Sequence, residues 1–458
     1  MLLLSSLTFY GFWRPEFLIV MLVSAGTDFF VAQRIESCSA DQKRWRWLFV
    51  SLFINLGLLF YFKYLFFALD NAVATLHLFG YQDIHAPAMS IILPLGISFY
   101  TFQTISYTVD VYRKLIVAEK DWVLYGCFVT FFPQLVAGPI LRGSELLQQL
   151  SEKPFFNLDT FASGIRRIIF GLFLKVVLAD NIAPLVNFGF DQPLSNLSAL
   201  DVMTLAFLFG YQIYFDFAGY SHIAIGSARL MGISFPENFS FPYMSSSPRE
   251  FWRRWHISLS SWIRDYLYLP MLNQAVRAQS VDGLATAANP VKNGLSPTLA
   301  LLLTWIIMGF WHGANWTFVM WGLLHGLLVA TYRFLSPRME RLPSALSAFA
   351  GWVTTLLAIM LAWIPFRADS VKVALGMYSK LFALSEWSYL GMRENTYLVT
   401  AIILLSNILA YFIHEHAGRT LVKRAALMFF INAVLMGVAT CLVFIFLRPI
   451  NQFIYFQF

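Results

Sequence analysis

Two histidines lie in the most apolar part of this 458-residue sequence. His312 and His325 both fall within the run "TLALLLTWIIMGFWHGANWTFVMWGLLHG" (298–326). Ionisable side chains are costly inside a membrane, and where they occur they commonly have a function. A neutral imidazole in an apolar site can accept the proton of a hydroxyl group, and a second histidine can orient the first or polarise a carbonyl. This pattern suits acyl transfer to an alcohol.

The depth and spacing of the two histidines indicate a buried helical hairpin. His312 lies about 22 Å along a helix that begins near residue 298, which places it inside a hydrocarbon layer ~30 Å thick. Glycines on either side permit close helix packing or a bound substrate. The alternative is a histidine that only hydrogen-bonds a backbone carbonyl. No carboxylate or cysteine accompanies the histidines at metal-ligand spacing, so we predict no metal site.

The composition identifies the class of protein. The chain is 58% hydrophobic and only 12% charged, with a mean hydropathy of +0.63. A soluble domain could not bury so much apolar surface, so the sequence predicts a polytopic membrane protein. The three cysteines are far apart and indicate neither a disulfide framework nor a zinc site. The net charge of +7 fits cytoplasmic loops better than nucleic-acid binding.

Apolar runs near the length of a bilayer span recur along the whole chain. They predict an all-α polytopic membrane protein with about 10–12 transmembrane or re-entrant helices, in one domain over residues 1–458. The stretches 132–140 and 215–221 are predicted to be re-entrant or kinked. The runs are 17–33, 48–68, 91–109, 122–137, 168–188, 200–217, 297–312, 316–332, 349–366, 397–413 and 426–447.

The segment "SSSPREFWRRWHISLSSWIRDYLYLP" (245–270) is not an ordinary loop. Ser247-Pro248 with Glu250 indicates a helix start. Its aromatic and aliphatic residues then recur on one helical face, which predicts a cytoplasmic amphipathic helix over about 245–268. A further hypothesis is that His256 points into the protein, and that Arg253 and Arg254 bind a phosphate-bearing cytosolic ligand.

Two other apolar stretches carry polar residues. Asp216 stands beside a glycine-rich sequence, where it either stabilises a kink through a cap or salt bridge or takes part in the site. The segment 93–113 carries Ser98, Gln103, Ser106 and Asp110 at helical spacing. These side chains either hydrogen-bond between helices or form a polar tunnel wall.

Taken together, these motifs closely resemble the membrane-bound O-acyltransferase (MBOAT) family, in its bacterial alginate O-acetyltransferase-like branch. The resemblance covers nearly the whole chain in the family's order, and "FWRRWHISLS…RDYLY" followed by "WHGANW" is its most specific part. The other matching segments are "LPLGISFYTFQTISYTVDVYR" (93–113), "FFPQLVAGPILR" (131–142), "YQIYFDFAGYSHIAIG" (211–226) and "FIYFQF" (453–458).

This resemblance implies a ring of helices around a catalytic tunnel in the bacterial cytoplasmic (inner) membrane. It implies acetyl transfer from cytosolic acetyl-CoA, with His312 at the family's catalytic position and His256 at the second histidine position. We expect the donor and substrate to contact residues on both motifs. The candidate residues are Arg253, Arg254, Trp255, Arg264, Asp265, Trp311, Asn315 and Asp216.

The resemblance also implies partners outside the membrane. Members of this branch work with a periplasmic acetyltransferase or acetyl-accepting protein that modifies a secreted polysaccharide. This chain departs from the family pattern at 269–283, which replaces a Gly-Gly-Asn-Arg element, and at His222, where an acidic residue is common. The competing interpretations are a transporter or proton relay and a non-catalytic scaffold of a polysaccharide secretion complex. We expect no nucleic-acid partner.

Overall fold

A computed structural model describes residues 1–87, 91–136, 138–152, 156–274, 294–339, 344–420, 425–448 and 453–454. Within these ranges the regular structure is helical, with no strand. The α-helices are α1 (Leu2–Gly11), α2 (Phe17–Ser37), α3 (Asp41–Leu59), α4 (Leu65–Leu78), α5 (Ile97–Tyr112), α6 (Trp122–Thr130), α7 (Phe132–Leu135), α8 (Gly143–Ser151), α9 (Leu158–Leu172), α10 (Asp180–Phe190), α11 (Ala199–Leu230), α12 (Pro248–Arg254), α13 (Ile257–Ile263), α14 (Leu269–Met271), α15 (Pro297–His312), α16 (Trp316–Met339), α17 (Ser344–Arg367), α18 (Val371–Phe382), α19 (Glu394–Thr420) and α20 (Ala425–Phe446).

The long apolar helices confirm the predicted fold class. Among the described residues, seven helical segments are long and apolar enough to cross a membrane. Four shorter apolar helical segments accompany them, including Pro297–His312. The outer faces of several helices expose large apolar side chains, such as Phe53 on α3 and Leu405 on α19. Such surfaces fit lipid contact. The ring around a tunnel and the single domain stay predictions.

Two predicted breaks in the helices have different outcomes. The stretch 132–140 is irregular as expected, because α6 ends at Thr130 and only the short α7 follows. The predicted break at 215–221 is wrong, since α11 continues without interruption from Ala199 to Leu230. Its polar residue, Asp216, forms an ion pair with a neighbouring helix and therefore needs no break in the backbone.

Residues 1–164 and 227–236 belong to one compact unit. In it α2, α3 and α5 pack together around a buried polar network. Asp28 accepts hydrogen bonds from Ser51 and from Asn55 Nδ2, the latter at 2.7 Å. On α5, Gln103 Nε2 donates to the carbonyl of Phe128 at 2.7 Å. The polar residue Gln103 in 93–113 therefore hydrogen-bonds between helices, one of the two predicted alternatives.

The second unit contains residues 165–226, 237–274 and the described residues from 294 onward. Its central feature is the antiparallel pair α15 and α16. The backbones of these two helices come close to each other at two glycines. A Cβ on Gly309 would lie 2.3 Å from the carbonyl oxygen of Phe318, and one on Gly322 would lie 2.2 Å from that of Trp305. Only glycine permits this approach. The predicted helical hairpin is confirmed.

Candidate active site

His312 is the last residue of α15. The helix begins where Ser296 Oγ accepts a hydrogen bond from the Leu299 amide at 3.3 Å and Pro297 occupies the first turn. At its other end the His312 side chain is only 5% exposed. Its ring lies 4.9 Å from that of Trp321 and 5.3 Å from that of Phe366. The imidazole is therefore enclosed by aromatic rings at the end of a buried helix.

The turn after His312 holds the hairpin in place. Gly313 is extended, and a Cβ there would lie 2.1 Å from the Phe318 ring. Asn315 Oδ1 accepts a hydrogen bond from the Thr317 amide at 3.1 Å, which caps the start of α16. Trp311 is buried, with its ring 4.9 Å from that of His312. Of the two predicted substrate residues, Trp311 contacts the histidine ring, whereas the Asn315 side chain caps a helix.

His325 lies on α16, fully buried, on the other side of Trp321. The ring centroids of His325 and Trp321 are 4.7 Å apart. Trp252 and Trp305 also pack against His325, at 5.0 and 5.7 Å, and Trp363 lies at 6.2 Å. Trp252 and Trp305 also contact Trp321, at 5.8 and 6.5 Å, so both Trp321 and His325 lie between this tryptophan pair and His312.

The region 245–268 contains two helices, so the prediction of one continuous amphipathic helix is wrong. Ser247 caps α12 by accepting a hydrogen bond from the Glu250 amide at 3.1 Å, as its sequence indicated. The chain then breaks at Trp255 and His256, where His256 adopts a left-handed conformation with φ 42°. The predicted apolar face is buried within the protein: Phe251, Trp252, Trp255, Leu259, Trp262 and Ile263.

His256 is fully buried at this break, as the second hypothesis expected. Its Nδ1 lies 3.2 Å from Asn238 Oδ1, and its ring meets Phe217 edge-on at 4.5 Å. The Asn238 amide donates to Ser221 Oγ, so its oxygen faces His256 and Ser258. Because that oxygen can only accept, His256 carries its proton on Nδ1. Asn238 thus fixes the tautomer of His256.

Burial lowers the pKa of His256 from its ordinary 6.5 to about 3. The folded protein therefore keeps this ring neutral at pH values where an unfolded chain would protonate it. Its stabilising contribution is complete above about pH 6.5 and is lost as the pH falls toward 3, by about 1.4 kcal/mol per pH unit. We expect the unfolding temperature of detergent-solubilised wild type to fall between pH 7 and 5. The unfolding temperature of His256→Asn should fall less over the same pH range, and asparagine tolerates the left-handed backbone at this position. If the unfolding temperatures of both proteins changed equally with pH, the neutral, buried state of His256 would be contradicted.

A narrow cleft of about 60 Å³ lies between α12, α13, α15 and α16. Two guanidinium groups, those of Arg249 and Arg264, line it together with Tyr268. Burial raises the pKa of the Tyr268 hydroxyl, while Arg333 hydrogen-bonds it and opposes that rise. The apolar wall is formed by Trp252, Ile263, Leu301, Trp305, Met308 and Val329, with Ser260 and Thr304 adding hydroxyls. The cleft is thus basic in part and aromatic in part.

The cleft separates the predicted donor residues into two groups. Arg264 lines it, and its guanidinium forms an ion pair with the buried Asp265 at 2.6 Å. Arg253 is exposed on α12 and is not part of the lining. Arg254 forms an ion pair with Glu250 at 2.7 Å, and Trp255 is buried in the aromatic core. Of these five predicted residues, only Arg264 lines the cleft; Asp265 is paired with it but lies outside the lining, as do the other three.

Asp216 lies in a different group of charges. Lys175 Nζ is 2.6 Å from Asp216 Oδ1 and 2.9 Å from Asp180. The other Asp216 oxygen accepts a hydrogen bond from the Ile454 amide at 2.8 Å. Of the two alternatives for Asp216, the salt-bridged one is observed. Next to it, Phe453 packs on Phe217, the residue that also meets His256.

Sequence reasoning missed Arg249, Tyr268 and Arg333 as neighbours of the cleft. Arg249 and Trp252 are three residues apart on α12, so they share a face of that helix. The segment Arg264–Tyr268 is π-helical, a conformation frequent at functional sites. No signal in the sequence distinguishes Arg249 from Arg253, because both flank the same aromatic pattern. Among the described residues, no group of three or more His, Cys, Asp or Glu side chains could hold a metal ion.

Comparison with known proteins identifies the family of the chain. The model of MBOAT, the membrane-bound O-acyltransferase family, matches residues 122–286. The "Probable alginate O-acetylase AlgI" of Azotobacter vinelandii is 38% identical over 409 residues, which cover 89% of this chain and 77% of that protein. The protein of the same description from Pseudomonas aeruginosa is 37% identical over 416 residues, covering 90% and 75%. The "Peptidoglycan O-acetyltransferase" of Helicobacter pylori is 35% identical over 410 residues, covering 84% and 73%.

Relatives of this identity and coverage share one family and one class of reaction. The family model covers the α12–α13 region with His256, and the alignments extend the similarity over most of the chain. The chain is therefore a multi-pass membrane O-acyltransferase and belongs to the membrane-bound O-acyltransferase family.

Proposed function

We propose that this protein transfers acetyl groups from cytosolic acetyl-CoA to a hydroxyl acceptor for O-acetylation of a secreted polysaccharide. The observation that carries the proposal is the position of His312 at the end of α15. The same helix contributes Leu301, Thr304, Trp305 and Met308 to the cleft with Arg249 and Arg264. Helix α15 thus contributes both to the wall of the proposed donor cleft and to the proposed base, His312.

The chemistry of the cleft favours a phosphorylated donor. Guanidinium groups bind phosphate with charge-assisted hydrogen bonds, and coenzyme A carries phosphates at one end and a thioester at the other. Arg249 and Arg264 line the cleft together with Tyr268, and Arg333 hydrogen-bonds Tyr268. The aromatic pair Trp252 and Trp305 then leads toward the histidines. We infer that this basic part faces the cytoplasm, where the basic loops are expected.

His312 acts in this proposal as the general base. Its neutral ring takes the proton of the acceptor hydroxyl as the oxygen attacks the acetyl carbon, and it later returns that proton to the departing thiolate. His256 assists from the adjacent aromatic core, where Asn238 fixes its tautomer. Trp311 packs on the His312 ring and holds its orientation. The reaction needs no metal ion.

The acceptor side is proposed from the relatives. Their names specify alginate and peptidoglycan, so a polysaccharide hydroxyl or a hydroxyl of an intermediate carrier protein is the expected acceptor. A periplasmic acetyltransferase or acetyl-accepting protein would complete the transfer. We propose that the protein acts in the bacterial cytoplasmic (inner) membrane.

The test uses inside-out membrane vesicles that contain the full chain. Vesicles are supplied with acetyl-CoA labelled on the acetyl group, and both free thiol and ester-linked label are measured. We expect both products to appear only when the protein is present. Label in vesicle glycans or in a protein band identifies the acceptor class. Vesicles that release no thiol and form no ester, while solute or proton transport depends on the protein, would favour the transporter interpretation.

The cleft arginines give a prediction for the donor. We expect Arg249→Gln and Arg264→Gln to raise the KM for acetyl-CoA about tenfold each, since each removes a charge-assisted hydrogen bond. The rate at saturating acetyl-CoA should change little. Arg253→Gln is the matched control, because it removes the same charge from the same helix outside the cleft lining. An equal effect of Arg253→Gln would show a general charge effect and contradict the donor cleft.

A further inference from the structure

Trp321 and His325 carry hydrogen-bond donors that the described part of the chain leaves without acceptors. Trp321 is 1% exposed and His325 is fully buried. The Trp321 Nε1 atom and both His325 ring nitrogens have no hydrogen-bond partner there. Buried polar groups are nearly always paired, and an orphaned group calls for an explanation. The Trp321 and His325 rings are in contact, with centroids 4.7 Å apart, so these unpaired buried nitrogens belong to neighbouring side chains.

The position of this pair points to the reacting group. Trp321 contacts both His312, at 4.9 Å, and His325, at 4.7 Å. His325 in turn packs against Trp252 and Trp305, which line the basic cleft. Trp252 and Trp305 also contact Trp321, at 5.8 and 6.5 Å. The Trp321–His325 pair thus adjoins both the cleft wall and His312, where an acyl group held between the two would contact it.

The chemistry of the pair indicates what it would bind. An indole N–H is a donor only, and a neutral imidazole offers one N–H. A carbonyl oxygen can accept two hydrogen bonds. An acyl thioester has such an oxygen on the carbon that the acceptor hydroxyl attacks. His312 cannot supply these donors while it accepts the hydroxyl proton. Preorganised donors aimed at a developing oxyanion are commonly the largest contribution to acyl transfer.

We propose that Trp321 and His325 are further catalytic residues that hold the carbonyl oxygen of the acyl thioester. This inference rests on the proposed function. The acceptor oxygen forms a bond to the carbonyl carbon as its proton moves to His312. The π electron pair moves onto the carbonyl oxygen, which accepts hydrogen bonds from Trp321 Nε1 and from the N–H of His325. When the pair returns, the C–S bond breaks and the thiolate takes the proton from His312.

The experiment separates the lost donor from lost packing. Inside-out vesicles with matched amounts of full-length protein are assayed for thiol release and ester formation over a range of acetyl-CoA concentrations. Trp321→Phe keeps a ring and removes the N–H, and 3-benzothienylalanine at the same position also keeps the bicyclic shape. His325→Leu removes the donor, whereas His325→Gln retains one. Trp363→Phe is the matched control, since Trp363 is equally buried in the same cluster and its indole nitrogen also has no partner.

We expect Trp321→Phe, the benzothienyl variant and His325→Leu to lower the rate at saturating acetyl-CoA about a hundredfold, with the KM nearly unchanged. His325→Gln should be more active than His325→Leu, and Trp363→Phe should stay close to wild type. Near-wild-type rates for the three donor-free variants, with His312→Ala inactive, would overturn this inference alone. A change in KM only, or an equal loss in Trp363→Phe, would also overturn it. Activity in His312→Ala would instead overturn the proposed function.

Discussion

We expect His312→Ala to abolish acetyl transfer, with a loss of at least about a hundredfold in the rate of ester formation. The imidazole at the end of α15 is enclosed by Trp321 and Phe366, so bulk water cannot readily replace it as the base. The measurement is ester-linked acetate on secreted polysaccharide, compared between strains with matched amounts of protein in the membrane. Thiol release from acetyl-CoA in vesicles gives a second readout that needs no knowledge of the acceptor.

Two further variants make this result interpretable. His312→Gln fills more of the aromatic site than alanine does, and it should be equally inactive because an amide is not a base. His85→Ala removes an exposed histidine and should retain full activity. Normal acetate with His312→Ala would contradict the assignment of the base. Loss of acetate with intact thiol release would place the defect after donor cleavage, which the general-base role does not predict.

The second large effect concerns the backbone that holds the site. We expect Gly322→Ala to destabilise the protein by about 1–3 kcal/mol, because the added Cβ would overlap the carbonyl oxygen of Trp305 at 2.2 Å. Since α15 and α16 would separate, His312 and Trp321 would also move apart and activity would fall. The unfolding temperature of the detergent-solubilised protein and the ester-forming rate of vesicles are measured together.

Gly57→Ala provides the matched control for this substitution. Gly57 also lies in an apolar helix, but a Cβ there would meet no heavy atom within 4 Å. Alanine favours a helix over glycine by up to about 1 kcal/mol, so this variant should be unchanged or slightly more stable. If Gly322→Ala unfolded at the wild-type temperature, the close approach of the two helices would be contradicted.

Local sequence predicted several elements correctly. The helix over 297–312 was predicted with its observed bounds, because an apolar run near the length of a bilayer span occupies those residues. The hairpin of α15 and α16 followed from the depth and spacing of His312 and His325 in one apolar run. Residues 245–268 show where such reasoning stops. Periodicity identified the apolar face, but it did not predict the left-handed His256 that divides the segment.

The sequence by itself determined the membrane class, the apolar helices and the histidine motifs, because composition and local spacing are properties of the chain alone. Only the tertiary structure decided which charged side chains line the cleft and which form ion pairs. Arg249 and Arg253 are chemically alike and four residues apart, yet Arg249 lines the cleft and Arg253 does not. The sequence allowed two roles for Asp216, and only the tertiary structure shows that Lys175, from a distant segment, forms an ion pair with it. Such partners are far apart in the chain, and the packing of one helix against another brings them together.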